Sequence, residues 1–109
     1  MRVLVTGGGG FLGLELVRRL VARGDEVRCL SRGAHPRLAA LGARQVRGDL
    51  ARGDGLAEAL RGVALCFHVA AKADPWGSPA DYEATNVEGT RRVLAACRAA
   101  AVPKLVFTS

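Results

Sequence analysis

The sequence predicts an α/β fold built on a doubly wound parallel sheet of five strands, with helices on both faces. Short apolar runs alternate with stretches of helical periodicity along the whole chain, and this alternation is typical of a parallel sheet with right-handed crossovers. A glycine-rich segment follows the first apolar run and opens the first helical stretch. In doubly wound sheets such a segment follows a central strand, so we expect the strand order 3-2-1-4-5.

The first strand and the first helix carry the clearest patterns. A valine-rich run predicts a buried strand at Arg2–Thr6. Helical periodicity follows over residues 10–23, where leucines recur every four residues and so share one face. Gly24 is suited to end this helix, because a residue in the left-handed conformation commonly follows the last helical turn.

The middle of the chain supplies two more strands and a short helix. We expect the second strand at Glu26–Ser31 and the third at residues 43–47, both of them short runs between polar or glycine-containing turns. Asp54 is expected to cap a short helix that continues to Leu60 and is ended by Gly62.

The last part of the chain repeats the alternation. A fourth strand is predicted at residues 63–70, a long helix at about 80–100, and a fifth strand at Lys104–Thr108, with Pro103 breaking the helix. The inner face of the long helix is expected to carry four residues, flanked by Val93 and Ala96: Val87, Thr90, Leu94 and Cys97.

Composition limits the partners that the protein is expected to have. The 109 residues fit one domain, and half of them are hydrophobic. The formal charge of +6 comes mostly from arginines, but these are scattered and form no basic stripe, so we expect no nucleic-acid partner. No apolar run approaches the length of a membrane span.

Cysteine usage and the N-terminus favour a cytoplasmic location. The three cysteines, Cys29, Cys66 and Cys97, form no Cys-x-x-Cys pair, and each lies in an apolar run. We expect them to be small buried residues in a reducing compartment. The first apolar run is too short for the hydrophobic region of a signal peptide.

The strongest functional motif is the glycine spacing Gly7-x-x-Gly10-x-x-Gly13. Gly7 allows the strand to turn sharply, Gly10 leaves room for a pyrophosphate at the helix N-terminus, and Gly13 lets the helix pack closely on the sheet. A glycine-rich turn without a ligand is the alternative. The position after a strand and before an amphipathic helix favours phosphate binding.

The motif Thr-Gly-x-x-Gly-Phe-Leu-Gly resembles that of the extended short-chain dehydrogenases and reductases, a Rossmann-type family that includes nucleotide-sugar epimerases and 3β-hydroxysteroid dehydrogenases. Further segments resemble the family in the expected order and extend the resemblance over the whole chain: Gly48-Asp49-Leu50, His68-Val69-Ala70-Ala71, Asn86-Val87-Glu88-Gly89-Thr90 and Val106-Phe107-Thr108-Ser109. The run His-Val-Ala-Ala-Lys, Trp76-Gly77 and residues 93–97 most resemble the 3β-hydroxysteroid dehydrogenase branch.

This resemblance implies a set of cofactor-binding residues beyond the glycines. The expected contacts are Phe11 and Leu12 beside the phosphates, Asp49 and Leu50 at the adenine, and four residues near the ribose and nicotinamide: Ala70, Ala71, Lys72 and Asn86. Simpler roles remain open for several of them. Asp49 could be a turn residue, Lys72 a surface lysine, and Asn86 a link between helix and strand, and we expect His68 to be structural.

The end of the second strand bears on the choice of cofactor. A preference for NAD needs an acidic residue there to accept a hydrogen bond from the ribose 2′-hydroxyl. The run Cys29-Leu30-Ser31-Arg32-Gly33 has no acid, and Ser31 and Arg32 could instead hold a 2′-phosphate. We therefore expect NADP, with NAD as the alternative.

The catalytic pattern of the family is not found in this chain. Its members transfer hydride with a Tyr-x-x-x-Lys pair, whereas the single tyrosine here, Tyr82, is followed four residues later by Asn86. We assign no catalytic residue and no metal ligand, and expect this chain alone to be inactive.

Two interpretations follow from that absence. The first is an incomplete Rossmann domain, spanning residues 1–109, of an oxidoreductase whose substrate domain lies beyond it. That enzyme would act on an alcohol or carbonyl of a sterol-like or nucleotide-sugar substrate and could form a homodimer. The alternative is a non-catalytic dinucleotide-binding sensor or docking module.

Overall fold

The computed structural model describes residues 1–7, 10–50, 52–69 and 79–108, with the side chains of 79–86 excepted. Within these ranges five parallel strands form one sheet in the order β3-β2-β1-β4-β5, which confirms the predicted topology. The elements in chain order are β1 Arg2–Thr6, α1 Phe11–Ala22, β2 Glu26–Ser31, α2 Pro36–Ala40, β3 Arg44–Arg47, α3 Leu56–Ala59, β4 Leu65–Val69, α4 Pro79–Ala99 and β5 Lys104–Thr108.

Two cores cover the two faces of the sheet. Val3 and Val5 of β1 pack with residues of α1 and α2 on one face. Leu4 points to the opposite face, as strand alternation requires, and packs with residues of α3 and α4. The helices therefore lie on both faces, as the sequence predicted.

The strand boundaries agree with the sequence pattern except at the starts of β3 and β4. Residue 43 precedes β3, and β4 begins at Leu65 instead of residue 63. The later start of β4 has a physical reason, because the Val63 amide still donates to the Leu60 carbonyl across a turn, at 3.1 Å. Ala70, the predicted end of β4, lies outside the described residues.

The single-turn helix α2 was not predicted. Pro36 occupies its first turn, where a missing N–H costs nothing. The helix buries only Leu38, so it carries no repeated apolar spacing that a sequence pattern could reveal.

The predicted capping role of Asp54 is wrong. Gly55 is the N-cap of α3, in the left-handed conformation with φ of 79°, and no side chain caps the helix. The backbone of Asp54 instead exchanges two hydrogen bonds with that of Asp49, each 3.1 Å long. This short antiparallel bridge turns the chain back after β3.

The predicted inner face of α4 is also partly wrong. Val87 and Leu94 are 53% and 38% exposed, whereas Gly89, Val93 and Cys97 are buried. Both sets fit a helical repeat, because residues three, four and seven apart share a helix face. Tertiary packing selects the set spaced by four, which places Val93 and Cys97 in the second core.

The three cysteines are buried free thiols, as expected. Burial raises the pKa of the Cys29 thiol to about 12 and also raises the pKa values of Cys66 and Cys97. These thiols are therefore protonated near neutral pH and poorly nucleophilic.

Among the helices that the structure describes, none combines the length and the apolar character needed to cross a membrane.

Candidate functional site

The predicted binding residues that the structure describes after β1, β2 and β3 lie at the carboxyl edge of the sheet. Because the strands are parallel, their carboxyl ends meet at the same edge. Gly7 follows β1, Arg32 follows β2 and Asp49 follows β3, and neighbouring strands are in register, with Thr6 beside Leu30. Three segments that are distant in sequence therefore lie along one edge.

Gly7 is the tightest point of this edge. Its φ of +77° lies in the left-handed region that favours glycine. A Cβ added there would lie 2.8 Å from the carbonyl oxygen of Val69 and 3.3 Å from its Cβ. Glycine is thus required twice, once by the backbone conformation and once by the close approach of β1 to the end of β4.

The N-terminus of α1 is arranged to accept an anion. Gly10 is its N-cap, no side chain caps the first turn, and no acidic residue lies in that turn. The first backbone N–H groups of a helix have no partner within the helix, and the helix dipole is positive there. Together these features make a helix start suited to a phosphate.

Gly10 itself is not needed by the fold. Its backbone is extended, with φ of −82° and ψ of 172°, and among the described residues a Cβ added there would meet only the Gly7 carbonyl oxygen, at 3.7 Å. The residue is exposed. Among the described residues, only Gly7 therefore approaches this position within 4 Å.

Phe11 and Leu12 extend this surface with apolar side chains. They are 90% and 54% exposed and are the first two residues of α1. Gly13, the third glycine of the motif, is buried in the same turn. All three were predicted to belong to the cofactor site, and the structure places all three in the first turn of α1.

The end of β2 carries the two residues expected to set cofactor preference. The Ser31 hydroxyl donates to the Gly33 carbonyl at 2.8 Å and accepts a hydrogen bond from the Gln45 amide at 3.4 Å. Arg32 is exposed and forms no ion pair with any described residue. Arg32 is therefore the more available of the two for a new anionic partner.

Asp49 and Leu50 occupy a compact turn after β3. A Cβ on Gly48 would lie 2.2 Å from the Asp54 carbonyl oxygen and 2.6 Å from Cδ1 of Leu30, so only glycine fits there. Leu50 packs against the second core, which gives it a structural role beside any contact with adenine.

The remaining predicted contacts cannot be placed. Ala70, Ala71 and Lys72 lie outside the described residues, and so does the side chain of Asn86. Their roles remain predictions.

A buried polar link below the edge joins three elements. The His68 ring packs edge-on against Phe107, with ring centroids 5.8 Å apart. Its Nδ1 is 2.6 Å from the Thr6 hydroxyl and its Nε2 is 3.1 Å from the Thr90 hydroxyl. Both ring nitrogens are engaged, as we expected of a structural histidine. Its partners Thr6 and Thr90 were not identified as such from the sequence, because the pairing depends on strand register and on the packing of α4.

This link predicts a dependence of stability on pH. Burial lowers the pKa of His68 below its ordinary value, so the unfolded chain binds a proton more readily than the folded one. The stabilisation is complete above the unfolded pKa of about 6.5 and is lost as pH falls through the folded pKa. Between pH 7.5 and 5 we expect the unfolding free energy to fall more steeply in the wild type than in His68→Gln, by at most about 1.4 kcal/mol per pH unit.

Urea unfolding of the full-length protein across that range measures the effect. His35→Gln, which removes the other histidine, controls for the loss of an imidazole outside the link. Parallel pH profiles for the wild type and His68→Gln would contradict the assignment.

Across the described part of the chain, no group of three or more His, Cys, Asp or Glu side chains is placed to hold a metal ion.

Comparison with known proteins shows which family shares this sequence and fold. The sequence pattern of the 3-beta hydroxysteroid dehydrogenase/isomerase family matches residues 4–109. A 2-alkyl-3-oxoalkanoate reductase of Stenotrophomonas maltophilia is 50% identical over 109 residues, which are 100% of this chain and 33% of that protein. A 3-beta-hydroxysteroid dehydrogenase of Mycolicibacterium neoaurum is 39% identical over 120 residues, covering 99% of this chain and 31% of that protein. The chain thus spans about a third of the length of these relatives.

Solved structures share the fold at similar coverage. A short-chain dehydrogenase/reductase superfamily protein from Agrobacterium tumefaciens, crystallised with bound NAD, superposes with a TM-score of 0.82 and 38% identity. The match covers 100% of this chain and 32% of that structure. The likeness extends over every element described above.

Proposed function

Because the chain belongs to the 3-beta hydroxysteroid dehydrogenase/isomerase family, we propose that it binds a nicotinamide dinucleotide at the carboxyl edge of its sheet and forms the cofactor-binding part of an oxidoreductase. The observation that carries this proposal is the start of α1. It has no capping side chain and no acidic residue, and it is preceded by an exposed glycine that the fold does not require.

Along this edge, the order of the predicted binding residues matches the order of the parts of such a cofactor. The pyrophosphate would accept hydrogen bonds from the first N–H groups of α1, between Gly7 and Gly13. Asp49 and Leu50 would contact the adenine end. Family resemblance supports placing the ribose and nicotinamide near Ala70, Ala71, Lys72 and Asn86.

We propose that the full-length protein interconverts a secondary alcohol and a ketone, with a nicotinamide that accepts or donates the hydride. The names of the relatives support this substrate class, since one is an oxoalkanoate reductase and another a hydroxysteroid dehydrogenase. A sterol-like substrate fits the family, and a nucleotide sugar is the second substrate class. These 109 residues contain no Tyr-x-x-x-Lys pair, so the proton-transfer residues are proposed to lie outside them.

The preferred cofactor is proposed to be NADP, held by Arg32. We expect NADPH to bind the full-length protein about tenfold more tightly than NADH, because a charge-assisted pair contributes about 1.5 to 3 kcal/mol. Arg32→Ala should remove this preference by weakening NADPH binding and leaving NADH binding nearly unchanged. Fluorescence titration of both cofactors measures the four affinities.

Arg37→Ala is the matched control, since Arg37 is an exposed arginine on α2. It should leave the NADPH affinity at the wild-type value. Equal affinity of the wild type for the two cofactors, or unchanged NADPH binding in Arg32→Ala, would exclude a 2′-phosphate contact at Arg32 and favour NAD.

A further inference from the structure

A second cluster of positive charge lies on the α3 and α4 face of the sheet, near its amino edge. It surrounds a cavity of about 90 Å³, which we call the arginine cavity, lined by Arg28, Arg44, Val46, Glu58 and Arg61. Arg44 is the first residue of β3, and Arg61 precedes β4. The cavity is therefore separate from the glycine-rich edge, where the same strands end.

Arg28 forms the buried wall of this cavity. It is only 8% exposed, and its Nη1 donates to the Arg61 carbonyl at 3.0 Å and to the Ala59 carbonyl at 3.5 Å. Its Nε has no hydrogen-bond partner among the described residues. Two backbone carbonyls thus hold the guanidinium in place without neutralising its charge.

Arg44 and Arg61 add two exposed guanidinium groups. Arg44 lies directly opposite Arg28 on the neighbouring strand, and like charges at opposed positions of a sheet are destabilising. Neither Arg44 nor Arg61 forms an ion pair with a described residue. Their exposure also makes the cavity accessible from solvent.

The nearby carboxylates do not balance this charge. Glu26 is already bound to Arg2, with 2.9 Å between its Oε2 and Nε of Arg2, while its Oε1 is 3.7 Å from Nη2 of Arg28. The hydrogen bond from Arg2, and then the charges of Arg2, Arg28 and Arg44, keep the pKa of Glu26 below its usual value. Glu58 is the one carboxylate that lines the cavity, against three guanidinium groups.

We propose that the arginine cavity binds a free tetrahedral oxyanion of the size of inorganic phosphate. Guanidinium groups hold oxyanions through paired charge-assisted hydrogen bonds, and an anion between Arg28 and Arg44 would offset their repulsion. The volume is several times what one water molecule needs. The site does not depend on the dinucleotide proposal, because it uses none of the same residues.

The test uses the full-length protein with and without saturating NADP, so that phosphate bound at the arginine cavity can be told apart from phosphate bound at the glycine-rich edge. Inorganic phosphate, measured against chloride at equal ionic strength and pH, is expected to raise the melting temperature and to give a saturable calorimetric titration. The Arg44→Gln, Arg61→Gln double variant should bind phosphate at least about tenfold more weakly, because two charge-assisted donors are removed. This double variant keeps the buried Arg28 and changes only exposed residues, so we expect it to keep the fold.

The control is Arg37→Gln, Arg98→Gln, which removes two exposed arginines from α2 and α4 and lowers the net charge equally. It should retain the wild-type phosphate affinity. The proposal is overturned if phosphate stabilises the protein no more than chloride does, or if the two double variants lose phosphate binding to the same extent.

Discussion

Replacing Gly10 by valine is expected to weaken dinucleotide binding to the full-length protein by at least about a hundredfold. The valine methyl groups would occupy the space in front of α1 where we place the pyrophosphate. The loss of two charge-assisted hydrogen bonds costs about 3 to 6 kcal/mol, at about 1.4 kcal/mol for each factor of ten. Calorimetric titration of NADPH and NADH measures the loss.

The fold of the Gly10→Val protein should survive, because Gly10 has an extended backbone and, of the residues described, an added Cβ would meet only the Gly7 carbonyl oxygen, at 3.7 Å. Its melting temperature should stay close to that of the wild type. Ala95→Val adds two methyl groups at an exposed position of α4 and should bind as the wild type does. An unchanged affinity in the Gly10→Val protein would show that the start of α1 is not the phosphate site.

Gly48→Ala is expected to have the largest effect on stability. The new Cβ would lie 2.2 Å from the Asp54 carbonyl oxygen and 2.6 Å from Cδ1 of Leu30. The Asp54 backbone on one side and the buried Leu30 side chain on the other would both have to move. Overpacking of this kind costs about 1 to 3 kcal/mol and occasionally more, and we expect about 3 kcal/mol. Urea unfolding of the full-length protein measures this loss of stability. The substitution should also weaken cofactor binding, because it displaces the turn that carries Asp49.

Gly33→Ala is the matched control for that substitution. An added Cβ at Gly33 would have no atom of a described residue within 4 Å, and its backbone does not lie in the left-handed region. The substitution should be neutral, or stabilising by up to about 1 kcal/mol through the unfolded state. Equal stabilities of the Gly48→Ala and Gly33→Ala proteins would mean that the turn after β3 is not constrained as described.

The elements that the sequence predicted correctly are those with strong local patterns. The bounds of β1, β2 and β5 agree because each is a short apolar or β-branched run between polar or glycine-containing turns. By contrast, α2 buries only Leu38 and has no repeat to detect. The Asp54 cap was wrong because an acidic residue before a helix can equally form a backbone bridge, and the bridge to Asp49 depends on the path of the chain after β3.

The candidate site was predictable to the extent that it is local in sequence. The glycine spacing and the residues after each strand could be placed at one edge, since parallel strands end together. The Thr6–His68–Thr90 link and the arginine cavity could not be derived, because each depends on strand register and helix packing. The inner face of α4 was misassigned for a related reason, since Cys97 fits two helical repeats and only packing selects Val93 over Leu94.

The most direct measurement of the central claim is a crystal structure of the full-length protein with NADP. We predict pyrophosphate oxygens within hydrogen-bond distance, about 2.7 to 3.2 Å, of the first backbone N–H groups of α1, with the 2′-phosphate against Arg32. A dinucleotide bound away from the Gly7–Gly13 segment, with the first backbone N–H groups of α1 bonded only to water, would contradict the account.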